Sequence, residues 1–174
     1  MGKRSSFKRI DKDFYPTIDP RAVKELLPHL PDNFTYAEPC VGEGHLVRWL
    51  SSYGFKCTYQ GDISTGQDAM NLTAYDIGDA DIFISNLPWS RDIFEPMVEH
   101  LTNIKPLWTL LDAGWVYTAR SAKLVEERLT DIVALPRLKW IENTTMSSKD
   151  DCCWLRFDKN KQGNINFYGR KLSR

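Results

Sequence analysis

Between residues 20 and 130 the sequence alternates between short apolar runs of extended character and longer segments with helical periodicity. Pro20 to Leu30 reads as a helix with Asp19 as its N-cap and Ala22, Val23, Leu26, Leu27 and Leu30 on one face. Thr35-Tyr36-Ala37 reads as a strand, His45 to Ser52 as a helix ended by Gly54, and Lys56 to Gln60 as a second strand. Residues 65–80 hold short turns, and Asp81 to Ser85 is a third strand. Arg91 to Leu101 is helical, Pro106 to Asp112 extended, and Ser121 to Leu129 helical with Ser121 as N-cap. Strand character then recurs at Ile132 to Leu135, Leu138 to Ile141 and Asp151 to Phe157. Alternation followed by consecutive strands predicts an α/β fold: a mostly parallel, doubly wound sheet with helices on both faces and an antiparallel hairpin at one edge.

In such a sheet, ligands bind beyond the carboxyl ends of the strands. Asn86-Leu87-Pro88-Trp89 follows the apolar run Ile82-Phe83-Ile84-Ser85 and therefore stands at such an end. An amide oxygen accepts a hydrogen bond from an amino group, and an indole stacks on a flat base. The tetrapeptide points to chemistry on a planar amine or amide.

Glu38-Pro39-Cys40-Val41-Gly42-Glu43-Gly44 joins the first strand to the next helix. Its glycines allow a sharp turn and close approach to a ligand, and the helix that follows offers unpaired N–H groups. Asp62, at the end of the second strand, can accept hydrogen bonds from both hydroxyls of a ribose. The chain has neither GxGxxG nor GxxxxGK[ST], which disfavours nicotinamide cofactors and ATP.

At 174 residues the chain fits one domain. No apolar run is long enough to span a membrane, and Met1 to Ser6 leads into no apolar segment, so a cytoplasmic protein is expected. The formal net charge is zero but unevenly placed: residues 1–9 hold four Lys/Arg and residues 159–174 hold five, with no acid in either stretch. A basic arm over 1–12 and a basic tail over 159–174 thus flank an acidic body over 13–158, and basic ends attract phosphate backbones as readily as they solvate a surface. Cys40, Cys57, Cys152 and Cys153 form no CxxC pair, and His29, His45 and His100 stand apart, so no metal site is expected. Trp108, Trp140 and Trp154 lie in strand patterns and read as core.

Taken in order, these segments resemble the class I S-adenosylmethionine-dependent methyltransferases. The similarity is greatest to amino-methyltransferases with an Asn/Asp-Pro-Pro-aromatic motif, in particular short phage-encoded DNA adenine-N6 methyltransferase-like proteins. It spans roughly residues 13–158 and implies a Rossmann-like, doubly wound sheet of seven strands with a C-terminal antiparallel hairpin. It implies that Asp13-Phe14-Tyr15-Pro16-Thr17 packs near the methionine end of the cofactor and that Glu38, Pro39, Cys40, Gly42 and Gly44 form the cofactor loop. Asp62, with Ile63, would hold the ribose; Asp68, with Ala69, would meet the adenine; Asn86, Leu87, Pro88 and Trp89 would be the catalytic tetrapeptide, Asn86 also bordering the cofactor. The cofactor implied is S-adenosylmethionine, the partner is nucleic acid, most of all DNA, and a duplex target would be flipped out of its stack.

On that resemblance the Asn86 side-chain oxygen and the Leu87 carbonyl accept the two N–H bonds of the target amine, Pro88 fixes the turn and Trp89 stacks on the base. Leu87 stands where the family has proline; the carbonyl survives but the rigidity of a fixed φ is lost. Recognition of a target would fall to Ser90-Arg91, Trp115 to Arg120 and Glu142 to Lys149, with Arg120, Lys123, Arg137, Lys139 and Lys149 as possible phosphate contacts. Two rival readings remain: a methyltransferase for adenine in RNA or for a protein glutamine, and a cofactor-binding protein without catalysis.

Overall fold

Strand residues of alternating direction divide this molecule into two apolar layers, one on each side of a sheet. A computed structural model describes residues 15–141 and 147–170. The expected basic arm 1–12, Asp13 and Phe14, most of the 142–149 loop and the last four residues lie outside those described. The elements are α1 (Arg21–Leu26), β1 (Thr35–Glu38), α2 (His45–Ser52), β2 (Lys56–Gln60), β3 (Ile82–Ser85), α3 (Arg91–Ile104), β4 (Leu107–Asp112), α4 (Ala122–Glu127), β5 (Leu129–Ala134), β6 (Cys152–Phe157) and β7 (Asn166–Tyr168).

The seven strands lie in the order β2-β1-β3-β4-β6-β5-β7. All run the same way except β6, which is antiparallel to both β4 and β5. Tyr36, Ile84, Trp108, Leu110 and Trp154 face α1 and α2, where Val23, Leu26, Leu46 and Leu50 complete the layer. Their sequence neighbours Ala37, Phe83, Leu107, Leu111 and Leu155 face α3 and α4, with Phe94, Val98, Leu101 and Leu124. The period of two along each strand thus assigns each residue to a layer. Each fully buried Leu or Phe contributes about 1.5–3 kcal/mol. The expected doubly wound α/β architecture is the one observed.

Among the first four strands, all parallel, chain order reverses once. From β1 the chain moves outward to β2, then crosses back to the other side of β1 to form β3 and β4. The crevice between the carboxyl ends of β1 and β3 is the topological switch point. Glu38 ends β1 and Ser85 ends β3, so the two segments singled out in the sequence meet there.

Several boundaries differ from expectation for local reasons. The first helix is α-helical only to Leu26 and continues as a 3-10 turn over Leu27–His29, since Pro28 has no N–H to extend the α ladder. The expected helix Ser121 to Leu129 ends at Glu127, and Leu129 opens β5 opposite Phe157. Ser121 does not cap it; its hydroxyl donates back to the carbonyls of Val116 and Thr118. The two expected extended pieces, 132–135 and 138–141, are one strand, β5, followed by an unpaired segment that buries Leu138. The segment from 159 onward, read as a tail, supplies β7. Its three residues are all exposed, so the alternation that reveals a half-buried strand is absent from it.

Asp19 fastens the segment after β5 to the start of α1. Its carboxylate accepts from the Arg21 backbone N–H (3.1 Å) and the Lys139 backbone N–H (3.0 Å), and it pairs with the Arg21 guanidinium at 2.6 Å. Burial alone would raise its pKa, but these donors outweigh burial and hold it below the ordinary 3.8. The stabilisation is therefore complete above the ordinary aspartate range and is lost as pH falls through the lowered value. Asp19→Ala is expected to lower the unfolding free energy by about 1–3 kcal/mol at neutral pH, with the difference shrinking toward pH 2. Urea titrations at several pH values check this; a difference independent of pH would contradict it.

Candidate functional site

A cavity of about 560 Å³ opens at the switch point. That lies within the roughly 300–1,000 Å³ of small-molecule pockets. It is bordered by Tyr15, Pro16 and Thr17, by Glu38, Pro39, Cys40 and Gly42, by Asp62 and Ile63, by Asp68 and Ala69, and by Asn86 and Pro88. Gly44, Leu87 and Trp89 do not line it: Gly44 starts α2, and Leu87 points into the core. The sequence reading did not anticipate Met70, Ile93 and Met97 on the wall. Ile93 and Met97 sit on the apolar face of α3, where helical spacing cannot tell a core contact from a cavity lining.

The loop after β1 is tied to the loop after β2. Gly61 N–H donates to the Glu38 carbonyl (2.9 Å) and Val41 N–H to the Gly61 carbonyl (2.8 Å). Gly42 adopts φ +50°, a region that disfavours a side chain, and its N–H donates to Asp62 Oδ2 at 2.9 Å. Asp62 Oδ1 accepts from the backbone N–H and the hydroxyl of Ser64 (2.9 and 2.6 Å). Burial pushes the Asp62 pKa up, but the donors from Ser64 and Gly42 prevail and it is lowered, which keeps the carboxylate ionised. Asp68 accepts from Met70 N–H and from the Asn71 amide. Each carboxylate retains lone pairs beyond these bonds. Ile63, 71% exposed, and Met70, 37% exposed, offer apolar surface beside them.

Glu38 is the most deeply buried carboxyl of the cavity, 1% exposed. Its Oε1 accepts from the Ser85 hydroxyl (2.5 Å) and the Cys40 N–H (3.0 Å), whereas Oε2 accepts from no described residue. Burial pushes its pKa up to about 8, against the opposing effect of the Ser85 and Cys40 donors and with a smaller push from the Asp62 charge. Ser85, fully buried, is a site residue that strand periodicity concealed. Burial also raises the Cys40 thiol well above its ordinary value, so it lines the cavity as a neutral group.

At the end of β3, Asn86 is held at both ends of its amide. Nδ2 donates to the Tyr15 carbonyl (2.8 Å), and Oδ1 accepts from the Trp89 indole N–H (3.1 Å). Leu87 is 1% exposed, packed in the layer of α3 and α4, and its carbonyl accepts from no described residue. Core packing anchors the Leu87 side chain, a restraint of a different kind from the fixed φ of a proline. Trp89 is half-buried, and Trp140 meets it edge-on (5.6 Å, 85°) and also meets Tyr15 (6.4 Å, 73°). Trp108 and Trp154 are core, as expected; Trp140 is only partly buried, packed against the edge of that core, because its segment leaves the sheet and crosses to this site.

A candidate class I S-adenosylmethionine-dependent methyltransferase of Listeria monocytogenes superposes with a TM-score of 0.55 at 14% identity, over 86% of this chain and 62% of that one. The fold is that of the Rossmann-like class I methyltransferases. A modification subunit of a candidate type I restriction enzyme from Vibrio vulnificus matches with a TM-score of 0.55 at 11% identity, over 93% of this chain and 48% of that one. A Pyrococcus abyssi tRNA (uracil-54, C5)-methyltransferase in complex with S-adenosyl-L-homocysteine matches with a TM-score of 0.50 at 14% identity, over 78% and 37%. The chain thus spans less than two thirds of the length of each of these structures. No protein-family model matches the sequence, and no curated protein does.

On this methyltransferase fold the basic residues named from sequence are largely engaged. Arg120 pairs with Asp92 and Glu95, Lys123 with Glu99, and Arg137 with Asp151. Lys139 and Lys149 have no ion pair among the described residues. Cys152 and Cys153 are buried in β6, and burial first, then Asp112, raises both thiols to about 12. No helix of the described residues is long and apolar enough to cross a membrane.

The raised Glu38 pKa has a measurable consequence. A carboxyl lifted from 4.5 to about 8 stabilises the fold fully below 4.5, and that contribution is lost as pH rises through about 8. Glu38→Gln is expected to remove this decline, changing the relative stability by a few kcal/mol between pH 5 and pH 9. Parallel denaturant titrations read it; equal pH slopes in both proteins would refute the assignment.

Proposed function

We propose that this chain is an S-adenosylmethionine-dependent methyltransferase acting on the exocyclic amine of a nucleobase, adenine N6 in DNA above all. The observation that carries the reading is the pairing of two acceptors at one strand end: the oriented Asn86 oxygen and the unengaged Leu87 carbonyl, beside the cavity at the switch point.

The carboxylate acceptors and apolar surfaces that line the cavity suit the cofactor. Asp62 keeps lone pairs for ribose hydroxyls, and Asp68 keeps them for an adenine amine, with Ile63 and Met70 as apolar surface for the ring. Glu38 Oε2, which accepts from no described residue, is left for a cationic group, and such a cation would favour the ionised carboxyl that burial disfavours. Gly42 leaves open space where a side chain would project, and its positive φ excludes most residues from the position. Bound there, S-adenosylmethionine supplies a methyl group activated on a sulfonium sulfur.

The residues of the chain then supply orientation. The lone pair of an aromatic amine is delocalised into its ring, so the amine attacks poorly. Two acceptors holding its N–H bonds favour a pyramidal nitrogen whose lone pair is aimed at the methyl carbon. Neither an amide oxygen nor a peptide carbonyl is a base of useful strength, so both hold the amine and neither removes its proton; the proton passes to water after transfer. Near-attack placement is worth about 7–11 kcal/mol in well-oriented systems, so a buried Leu87 that fixes its own carbonyl matters as much as the atom it carries.

The aromatic surroundings of Asn86, with Tyr15, Trp89 and Trp140, favour a flat base over a glutamine side chain. The choice of DNA over RNA rests on the sequence resemblance. The burial of Leu87 speaks against a protein that binds cofactor without catalysis. Mass spectrometry of nucleosides from cells producing the protein is the test. N6-methyladenine in DNA is expected with the wild type and absent with Asn86→Ala. Methylation confined to RNA would move the acceptor; methylation of neither nucleic acid would overturn the proposal.

A further inference from the structure

The aromatic residue that ends the tetrapeptide is a tryptophan, and its indole carries a donor that phenylalanine lacks. That donor is used: Trp89 Nε1 lies 3.1 Å from Asn86 Oδ1. At the other end of the amide, Asn86 Nδ2 lies 2.8 Å from the Tyr15 carbonyl. The two contacts are complementary, an N–H facing the oxygen and a carbonyl facing the amine. Turning the amide over would set its NH₂ against the indole N–H and its oxygen against the Tyr15 carbonyl, a donor against a donor and an acceptor against an acceptor. The network therefore fixes which atom Asn86 presents.

We infer that Trp89 is a positioning residue: its indole N–H locks the Asn86 amide so that the oxygen, and not the NH₂, is offered to the target amine. This rests on the reading of Asn86 as an acceptor for that amine. An amide oxygen has two lone pairs, and the indole takes one, leaving one for the substrate. An unlocked amide would spend part of its time with NH₂ toward the substrate, where it repels the amine instead of holding it. The lock is itself held. Trp140 abuts Trp89 edge-on at 5.6 Å, and Lys139, next to Trp140 in sequence, is tied to Asp19 at 3.0 Å. Tyr15, whose carbonyl is the other half of the lock, meets Trp140 at 6.4 Å, so one aromatic residue braces both sides.

Stacking and locking predict different behaviour for Trp89→Phe, which keeps a ring and removes the N–H. A locking role lowers kcat about ten-fold, the worth of one hydrogen bond, with KM for DNA and the cofactor dissociation constant unchanged. A stacking role alone leaves kcat near wild type. The decisive comparison is in an Asn86→Asp background, since a carboxylate presents an oxygen to the target whichever way it is turned, at the cost of one oxygen against the Tyr15 carbonyl whether or not Trp89→Phe is present. There Trp89→Phe is expected to cost little further activity. Retained kcat in Trp89→Phe, or an equal loss in both backgrounds, would overturn the lock. A readout independent of turnover is the solvent exchange of the Trp89 indole proton by NMR. It is expected to be slow in the wild type and fast in Asn86→Ala; fast exchange in both overturns the lock even where methyl transfer is found. Slow exchange with no transfer to any nucleic acid instead overturns the reading of Asn86 as acceptor, and with it the role assigned to Trp89.

Discussion

A buried contact between the Ser85 hydroxyl and the Glu38 carboxyl joins the ends of β1 and β3, and the geometry of the site hangs from it. These are the two strands between which chain order reverses. Each carries one half of the site: the glycine loop follows Glu38, and Asn86 follows Ser85 directly. A carboxyl in that position costs desolvation, and the cost is visible in a pKa pushed up to about 8. The structure tolerates it by giving Oε1 two donors, Ser85 and the Cys40 N–H, while Oε2 stays without a described partner. Buried groups left in this condition concentrate at functional sites.

A second set of contacts closes the site from above. Asp19 holds the segment after β5 against the start of α1, and that segment brings Trp140 to Trp89 and Tyr15. Trp89 and Tyr15 in turn hold the two ends of the Asn86 amide. Residues distant in sequence thereby converge on one side chain. On the proposed reading, the division of labour follows from this. The loops after β1 and β2 hold the cofactor, and the strand end of β3, braced by aromatic rings, holds the acceptor.

Much of this was legible in the sequence, because the features that mark it are local. The period of two in Tyr36-Ala37 and Ile82-Phe83-Ile84 and the helical spacing of Leu46 and Leu50 gave the layers. Glu38 to Gly44, Asp62 and Asn86 stood at strand ends, where the topology gathers them. What was not legible depends on contacts across the fold. Leu87 reads from sequence as a loss of stiffness, and only the fold shows that its side chain is anchored in the core layer. Trp140 reads as core because it lies in an alternating strand pattern, and nothing in that pattern reveals that the chain has left the sheet. β7 has no buried face, so it left no periodic trace. Ser85 was hidden inside a strand whose four residues are all buried.

The central claim is that the cavity between β1 and β3 holds S-adenosylmethionine, with Asp62 as one of its anchors. Calorimetric titration of the full chain with S-adenosyl-L-homocysteine, against wild type and a folded Asp62→Ala variant, tests it most directly. Saturable binding at one site per chain, weakened about ten-fold or more in the variant as a charge-assisted hydrogen bond is lost, is the result expected. Absence of binding to the wild type, or equal binding by both proteins, would contradict the account.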